Sequence, residues 1–262
     1  GVLTSAWFLV PASVALAVLV FIERRADEPF IARELTRSRS AVASLLLGML
    51  VGGGLIVALV NVPLFVNVLD VDLRNAAVTA GWLLTAMTVA MAIASGVGGE
   101  LSARSGPRRP AIVGLVGAAV AFAMMGFTWS VSTSTLAMVP VLALAGAGIG
   151  LTLTPSTVAV VDQAGPDDLG QASGLVLMAR LLGFSIGLAS MTAWGTRRYA
   201  TLRETMDVPT LGSDGYEEQL VVAGQRIATS ALTETFLGGA AAFIVALALV
   251  RWLSGVPRFG DR

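Results

Sequence analysis

The 262-residue chain contains no cysteine and no histidine, and all seventeen of its basic residues are arginine. These absences exclude disulfides, thiol chemistry, imidazole bases and the commonest zinc ligands. The formal net charge is zero, so the chain lacks the basic patch that nucleic-acid binding requires. Only 13% of the residues are charged, against about a quarter in an average soluble domain. We therefore expect no enzyme activity, no metal, no cofactor and no nucleic-acid partner.

What the sequence has in abundance is long apolar runs. Apolar residues make up 55% of the chain, and seven runs are about long enough to cross a hydrocarbon core of roughly 30 Å as helices. The runs cover residues 3–22, 41–69, 77–98, 110–127, 136–161, 169–194 and 236–252. The predicted fold class is all-α, a polytopic membrane helical bundle.

The runs predict two regions of different kinds. Residues 1–40 are expected to form one additional transmembrane helix and a charged cytoplasmic linker, and residues 41–262 a six-helix bundle. Residues 196–230 are amphipathic, with Pro209, Gly212 and Gly215 as turn signals. They predict a periplasmic hairpin of two helices that extend beyond the bilayer. The alternative is a loop of about 35 residues, which compact proteins seldom carry.

The arginines predict the orientation. Eleven of the seventeen arginines lie in the segments 23–40, 99–109, 162–168 and 251–262, which alternation of the spans places on one side. The positive-inside tendency makes that side cytoplasmic. All five tryptophans fall at predicted span ends, where amphipathic rings are expected at the interface. An odd number of spans indicates that the chain is part of a longer polypeptide.

Arg180 is the most informative residue. It lies near the middle of the run 169–194, so it is expected inside the membrane, where an arginine costs about 2.5 to 3.5 kcal/mol. At about 100° per residue, Ser173, Arg180, Phe184 and Met191 share one face of the helix. That face should meet protein or water and serve transport or coupling. The alternative is that Arg180 only links neighbouring helices through carbonyls or a carboxylate.

Other polar and polarisable residues in the spans are weaker candidates. Asn61 lies deep enough to bond across a cavity, and a bond between two helices is an equal alternative. No aspartate or glutamate lies deep in these spans, and Glu234, near an outer end, is a weaker candidate for a coupling role. The remaining candidates for transport or for lining a cavity are Asn67, Met87, Met91, Thr152 and Ser156.

The loop between the third and fourth runs, GELSARSGPRR, resembles the G-x-L-x-D-R-x-G-R-R signature of major facilitator superfamily transporters. The matching residues are Gly99, Leu101, Arg104, Gly106, Arg108 and Arg109. The signature aspartate is Ala103 here. The runs NVPLFVNVL and LGQASGLVLMARLLGFSIGLA are similar to the C-terminal half of the drug:proton antiporters with fourteen spans (EmrB/QacA type). In that group, two additional helices join the halves, and residues 3–22 correspond to the second.

The resemblance implies a second six-helix half as partner, alternating access and a substrate site between the halves. It implies export of hydrophobic or amphiphilic compounds, lipids or drugs, across a bacterial inner membrane, with the proton gradient as the energy source and no cofactor. Since no carboxylate lies deep in these spans, the main proton carrier is then expected outside this chain. Some members export lipids, and there the hairpin would meet a periplasmic lipid carrier. A dedicated multidrug pump is the alternative. A non-transporting membrane scaffold is a third, disfavoured because a scaffold has no need of Arg180.

Overall fold

The computed structural model describes residue 21 and residues 38–70, 72–164, 168–204 and 216–253. The predicted first span, 3–22, and the linker 23–40 lie almost wholly outside the described residues. The turn of the predicted hairpin, 205–215, lies outside them as well. The division into residues 1–40 and 41–262, and the hairpin itself, therefore stay predictions.

The described residues form six helices and no strands. The helices are α1 (Arg39–Leu69), α2 (Leu73–Ser105), α3 (Arg108–Thr128), α4 (Thr135–Val161), α5 (Leu169–Glu204) and α6 (Tyr216–Val250). All six are long and apolar enough to cross a membrane. The prediction of an all-α, multi-pass membrane bundle is thereby confirmed.

Three helices begin where a polar side chain satisfies a backbone N–H that the helix leaves unpaired. Ser38 accepts from the amide of Ala41 at 3.3 Å, and Asp72 accepts from the amide of Arg74 at 2.9 Å. The Ser134 hydroxyl does the same for α4. Such caps stabilise a helix start by about 1 kcal/mol.

The basic signature segment is mostly helical, not a loop as the sequence predicted. Helix α2 continues to Ser105, so Gly99, Leu101 and Arg104 lie on its last turns. The chain turns at Gly106, whose φ of 79° strongly favours glycine. The helix persists to that point because no earlier residue forces a break. Arg104 pairs with Glu100 one turn before it, on an exposed face.

Arg108 and Arg109 open α3 directly after the turn, and both are exposed. Nothing among the described residues holds them to a neighbouring helix. The function of these two signature residues stays a prediction.

The helices pack in two similar sets of three. Helix α1 packs against α5 and α6, helix α4 packs in the same way against α2 and α3, and α3 packs against α6. Only 17% of the apolar stretch of α5 and 22% of that of α2 is buried, against at least 44% for the other four helices. Helices α2 and α5 therefore present the largest uncovered faces of the bundle.

Glycines set the closest helix crossings. A Cβ on Gly183 of α5 would collide with the carbonyl of Met49 on α1, and a Cβ on Gly146 of α4 with the carbonyl of Met87 on α2. Membrane helices use small residues in this way to bring backbones together. The crossings of α1 with α5 and of α2 with α4 therefore depend on a missing side chain.

Replacing Gly183 with alanine should lower the thermal unfolding midpoint of the purified protein. The methyl group must push α5 away from α1, and overpacking of this kind costs about 1 to 3 kcal/mol. Gly174 on the same helix is the matched control, because a Cβ there meets nothing within 4 Å. Gly174→Ala should leave the midpoint unchanged or raise it, since alanine favours helix. Equal midpoints for both variants would contradict the tight crossing.

An aromatic cluster fills the bundle near the predicted outer ends. Trp129 lies 5.1 Å from Phe65 and 5.3 Å from Phe236 between ring centroids, and Phe122 lies 5.0 Å from Phe243. Trp129 is only 5% exposed. Trp129 thus lies at a span end, as predicted, but its ring is buried among helices and does not face lipid. Its ring packs inward because it follows α3 directly, where α1 and α6 converge. Trp7 lies outside the described residues.

Candidate functional site

Arg180 is the twelfth residue of α5, about 16 Å along the helix from its start. At this level α5 crosses α1, and Gly52 of α1 makes room for the Arg180 backbone and for the first carbons of its side chain. The guanidinium extends towards α4, where Nη2 donates to Thr157 Oγ1 at 3.5 Å. A contact of that length is weak. The Nε atom is buried and has no partner among the described residues.

No carboxylate in the described part of the chain pairs with Arg180. The ion pairs there join Arg104 to Glu100 and Arg198 to Glu234. A guanidinium has five N–H donors and stays charged in proteins. Arg180 is therefore a half-buried cation whose hydrogen-bonding capacity is mostly unused. It is suited to meet a carboxylate, a phosphate or an ester carbonyl.

Three hydroxyl side chains continue from Arg180 across the bundle. Thr154 Oγ1 lies 2.7 Å from the Ser95 hydroxyl and donates to the Ser95 carbonyl at 3.0 Å, which joins α4 to α2. Thr157 lies one turn further along α4 and meets Arg180. All four side chains are half-buried. We call Ser95, Thr154, Thr157 and Arg180 the polar belt, and it spans α2, α4 and α5.

The sequence missed three of the four members of the polar belt. It singled out Thr152 and Ser156 from the same segment, but both are fully buried and bond back to their own helix, at 2.9 Å to the Gly148 carbonyl and 2.8 Å to the Leu153 carbonyl. Thr154 lies between them in the chain and Thr157 directly follows Ser156, and these two threonines are three residues apart on the neighbouring face of α4. The sequence does not show which face of α4 is turned towards α2 and α5. It therefore cannot distinguish Thr154 and Thr157, which face those helices, from the buried Thr152 and Ser156.

The predicted methionine pair lies inside the packing of α2 against α4. Met87 is fully buried in the core, and Met91 is half-buried against it. The backbone carbonyls of both face glycines of α4, Gly146 and Gly150. The structure shows that both methionines pack between α2 and α4. Contact of either residue with a ligand stays a prediction.

The predicted face of α5 holds from Arg180 onwards. Phe184 is half-buried against the core and Met191 is buried. Ser173 is the exception, because it is exposed and its hydroxyl bonds the Leu169 carbonyl at 2.8 Å. In this first part of α5, the buried contacts are made by Ala172 and Val176, and Ser173 lies about 100° away from Ala172 around the helix.

Asn61 links two helices. Its side-chain amide donates to Thr235 Oγ1, which joins α1 to α6, and only 1% of Asn61 is exposed. This geometry favours the helix-linking alternative over a bond across a cavity. Asn67 lies near the end of α1 and is exposed.

The bond between Asn61 and Thr235 should be worth about 0.6 kcal/mol and at most about 1.7 kcal/mol, the average and the maximum measured for hydrogen bonds between membrane helices. A double-mutant cycle with Asn61→Leu and Thr235→Val measures it through unfolding free energies. Each single variant should destabilise the protein, and the double variant should lose less than their sum. Strict additivity would show that the two side chains are not coupled.

Glu234, the weaker candidate near an outer end, forms an ion pair. Its Oε1 accepts from Arg198 Nε at 2.7 Å, and the side chains of Glu234 and Arg198 are 29% and 38% exposed. The pair joins α5 to α6 close to the level of Asn61. A coupling role for Glu234 stays a prediction and would require this pair to open.

Two cavities lie along the line where α5 and α6 meet over α1. The larger, about 690 Å³, is floored by Gly53 and Gly54 of α1 and flanked by Ile186 and Gly238. The smaller, about 430 Å³, lies further towards the predicted outer side, next to Asn61. Both cavities are lined by Met191 and Thr235. We call the two together the α5–α6 seam.

Comparison with known proteins agrees with this arrangement. The family profile of the Major Facilitator Superfamily matches residues 1–188. The chain belongs to this superfamily. A triacylglyceride transporter of Mycolicibacterium smegmatis is 31% identical over 190 residues, which is 68% of this chain and 33% of the relative. A triacylglyceride transporter of Mycolicibacterium hassiacum is 32% identical over 202 residues, or 73% of this chain and 37% of the relative. The chain thus spans about a third of the length of these superfamily members.

A solved member of the superfamily shows the same fold. The inward-open xylose transporter XylE from E. coli superposes with a TM-score of 0.57, covering 84% of this chain and 49% of XylE. The two sequences are 15% identical. At that identity the likeness concerns the arrangement of helices alone. The six described helices therefore correspond in fold to about half of a superfamily transporter.

Proposed function

We propose that this chain is the C-terminal part of a secondary transporter that exports hydrophobic or amphiphilic compounds, lipids foremost, across the bacterial cytoplasmic membrane. The proton gradient drives export by antiport, and no cofactor takes part. The proposal includes membership of the subgroup with fourteen spans and a second six-helix half as the partner. The observation that carries it is Arg180, a half-buried cation with one weak neutral acceptor.

Arg180 implies a partner outside the described residues. Keeping an arginine at membrane depth is costly, and such residues face a bundle interior or a water-filled cavity and mark pathways for ions or substrates. The polar belt lies on α2, α4 and α5, and α2 and α5 carry the largest uncovered faces. A second six-helix half that covers these faces would close a polar cavity around Arg180.

Proton coupling then follows from electrostatics. A carboxylate of the second half that approaches Arg180 is favoured in its deprotonated form by the nearby positive charge. When the halves rock apart, the carboxylate loses that support and takes up a proton. Alternating exposure of this group to the two sides would exchange protons for substrate. In this scheme Arg180 is a positioning residue and the proton moves on the carboxylate.

Two observations favour lipid over a charged drug. The relatives at 31% and 32% identity are triacylglyceride transporters. The described spans offer no unpaired buried carboxylate to a cationic guest, since Glu234 is neutralised by Arg198. A neutral, largely apolar substrate is compatible with both. A periplasmic lipid carrier would accept the product from the hairpin at residues 196–230.

The test is export by the complete transporter, with this chain joined to its second six-helix half, reconstituted in vesicles with an imposed pH gradient. A fluorescent triacylglycerol and a cationic dye serve as alternative substrates. Lipid movement that stops when an ionophore collapses the gradient supports the proposal. Dye movement without lipid movement supports a dedicated multidrug pump, and movement of neither substrate supports the scaffold alternative.

A further inference from the structure

We propose that the α5–α6 seam binds an acyl chain of a neutral acylglycerol, at a site separate from the polar belt. The inference rests on the proposed function, since it assigns a second place on this chain to the same class of substrate. The seam runs along α5 from Gly183 to Tyr199, which at about 1.5 Å per residue is about 24 Å. That length exceeds the roughly 15 Å that one leaflet contributes to the hydrocarbon core.

The seam lies on a different flank of α5 from the polar belt. Ile186 lines the larger cavity and follows Arg180 by six residues, so the two side chains leave the helix about 120° apart. Arg180 reaches Thr157 of α4, whereas Ile186 lines a cavity together with Gly238 of α6. A molecule in the seam would therefore not touch the polar belt, and the two sites can be probed separately.

The chemistry of the lining selects an uncharged occupant. Among the described residues that line the seam, Glu234 is the one with a charged side chain, and it forms an ion pair with Arg198. Asn61 and Thr235 bond to each other. No charge in the described lining is left to hold a phosphate or an ammonium group. A phospholipid headgroup would therefore find no ionic partner in the seam. A neutral acylglycerol needs no such partner.

Glycines give the seam its depth. Gly53 and Gly54 form its floor on α1, and Gly238 of α6 faces its open space, because a Cβ there meets nothing within 4 Å. Trp194 and Ile186 stand at the edge with 58% and 53% of their surfaces exposed. Burial of apolar surface from an acyl chain against these walls gives the fit without a specific polar contact.

The test is photo-cross-linking of the protein, reconstituted in phospholipid nanodiscs, with a triacylglycerol that carries a diazirine on one acyl chain. Peptide mass spectrometry should find the label within residues 183–199 and 228–242. Gly238→Phe, which fills the larger cavity, should lower that labelling about tenfold, since two or more methylenes of the probe lose their burial. Ser190→Trp fills the same cavity from α5 and should lower the labelling as well. Agreement between the two variants would show that the loss of label does not come from misfolding of Gly238→Phe.

The matched control is Gly174→Phe on α5, where a Cβ also meets nothing within 4 Å and which lines neither cavity. It should label as the unchanged protein does. Equal labelling by a diazirine phosphatidylcholine would overturn the preference for a neutral lipid. Absence of label from the seam, as when residues 3–22 or a second copy fill it, would overturn the inference.

Transport measured in parallel separates this inference from the proposed function. Lipid export without label in the seam would contradict the acyl-chain site alone. Label in the seam without export in any gradient would contradict the proposed transporter and support the acyl-chain site. Absence of both label and export would contradict both proposals.

Discussion

Replacing Arg180 with alanine should reduce proton-driven export to the background rate while the protein still inserts and folds. The variant removes a cation that the described chain satisfies with only one weak bond, so the bundle loses little. The proposed partner carboxylate, in contrast, loses its counter-charge in the membrane, an effect of about 3 to 5 kcal/mol for a buried pair. Export in vesicles with an imposed pH gradient measures the loss.

Arg197→Ala is the matched control, because Arg197 lies on the same helix and is exposed. It should export as the unchanged protein does. Arg180→Lys keeps the charge but not the planar donor geometry, and it should retain part of the activity. Normal export by Arg180→Ala would leave Arg180 as a link between α5 and α4 and nothing more.

Shortening the predicted hairpin should abolish lipid export and spare any dye efflux. Replacing residues 202–222 with a short Gly-Ser linker removes the extended parts of α5 and α6. It keeps the Arg198–Glu234 pair and the 2.9 Å bond from Gln225 to the Val68 carbonyl, which tie the hairpin base to the bundle. A lipid then has no apolar path beyond the membrane surface, where each exposed methylene costs about 0.8 kcal/mol.

The control inserts the same linker between residues 209 and 210 and leaves both helices at full length. This variant should export lipid within about a factor of two of the unchanged protein, since a loop insertion costs little. Lipid transfer to acceptor vesicles and dye release are followed in the same preparation. Equal losses for lipid and dye would remove the reason to connect the hairpin with lipids.

Much of the fold was readable from the sequence because hydrophobicity and helix geometry are local properties. The run 41–69 became α1, 136–161 became α4, and both are right to within two residues. In a membrane, the backbone N–H and C=O groups of a single span must bond to each other, so a long apolar run forms a helix. The error at Gly99–Ser105 arose where polarity suggested a loop. Helix α2 continues there because nothing breaks its backbone bonds before Gly106.

The candidate site was readable only in part. Arg180 stood out because a charged residue inside an apolar run costs free energy in a membrane, and such a residue is recognised from the sequence alone. Its neighbours were not visible, because Ser95 and Thr157 are 62 positions apart in the chain and differ little from other hydroxyl residues nearby. Thr152 and Thr154 have the same side chain but different surroundings. Thr152 is buried against α3, and Thr154 faces Ser95 of α2.

By itself, the sequence determined that this chain is an all-helical membrane protein with one arginine inside an apolar run of membrane-spanning length. Both follow from transfer free energies that act residue by residue. Only the tertiary structure decided which hydroxyls meet Arg180, that Glu234 is paired with Arg198, and that α5 and α6 leave a seam between them. Those facts depend on the rotation and crossing of whole helices. The close contacts that set them, such as Gly183 against Met49, join residues far apart in the chain.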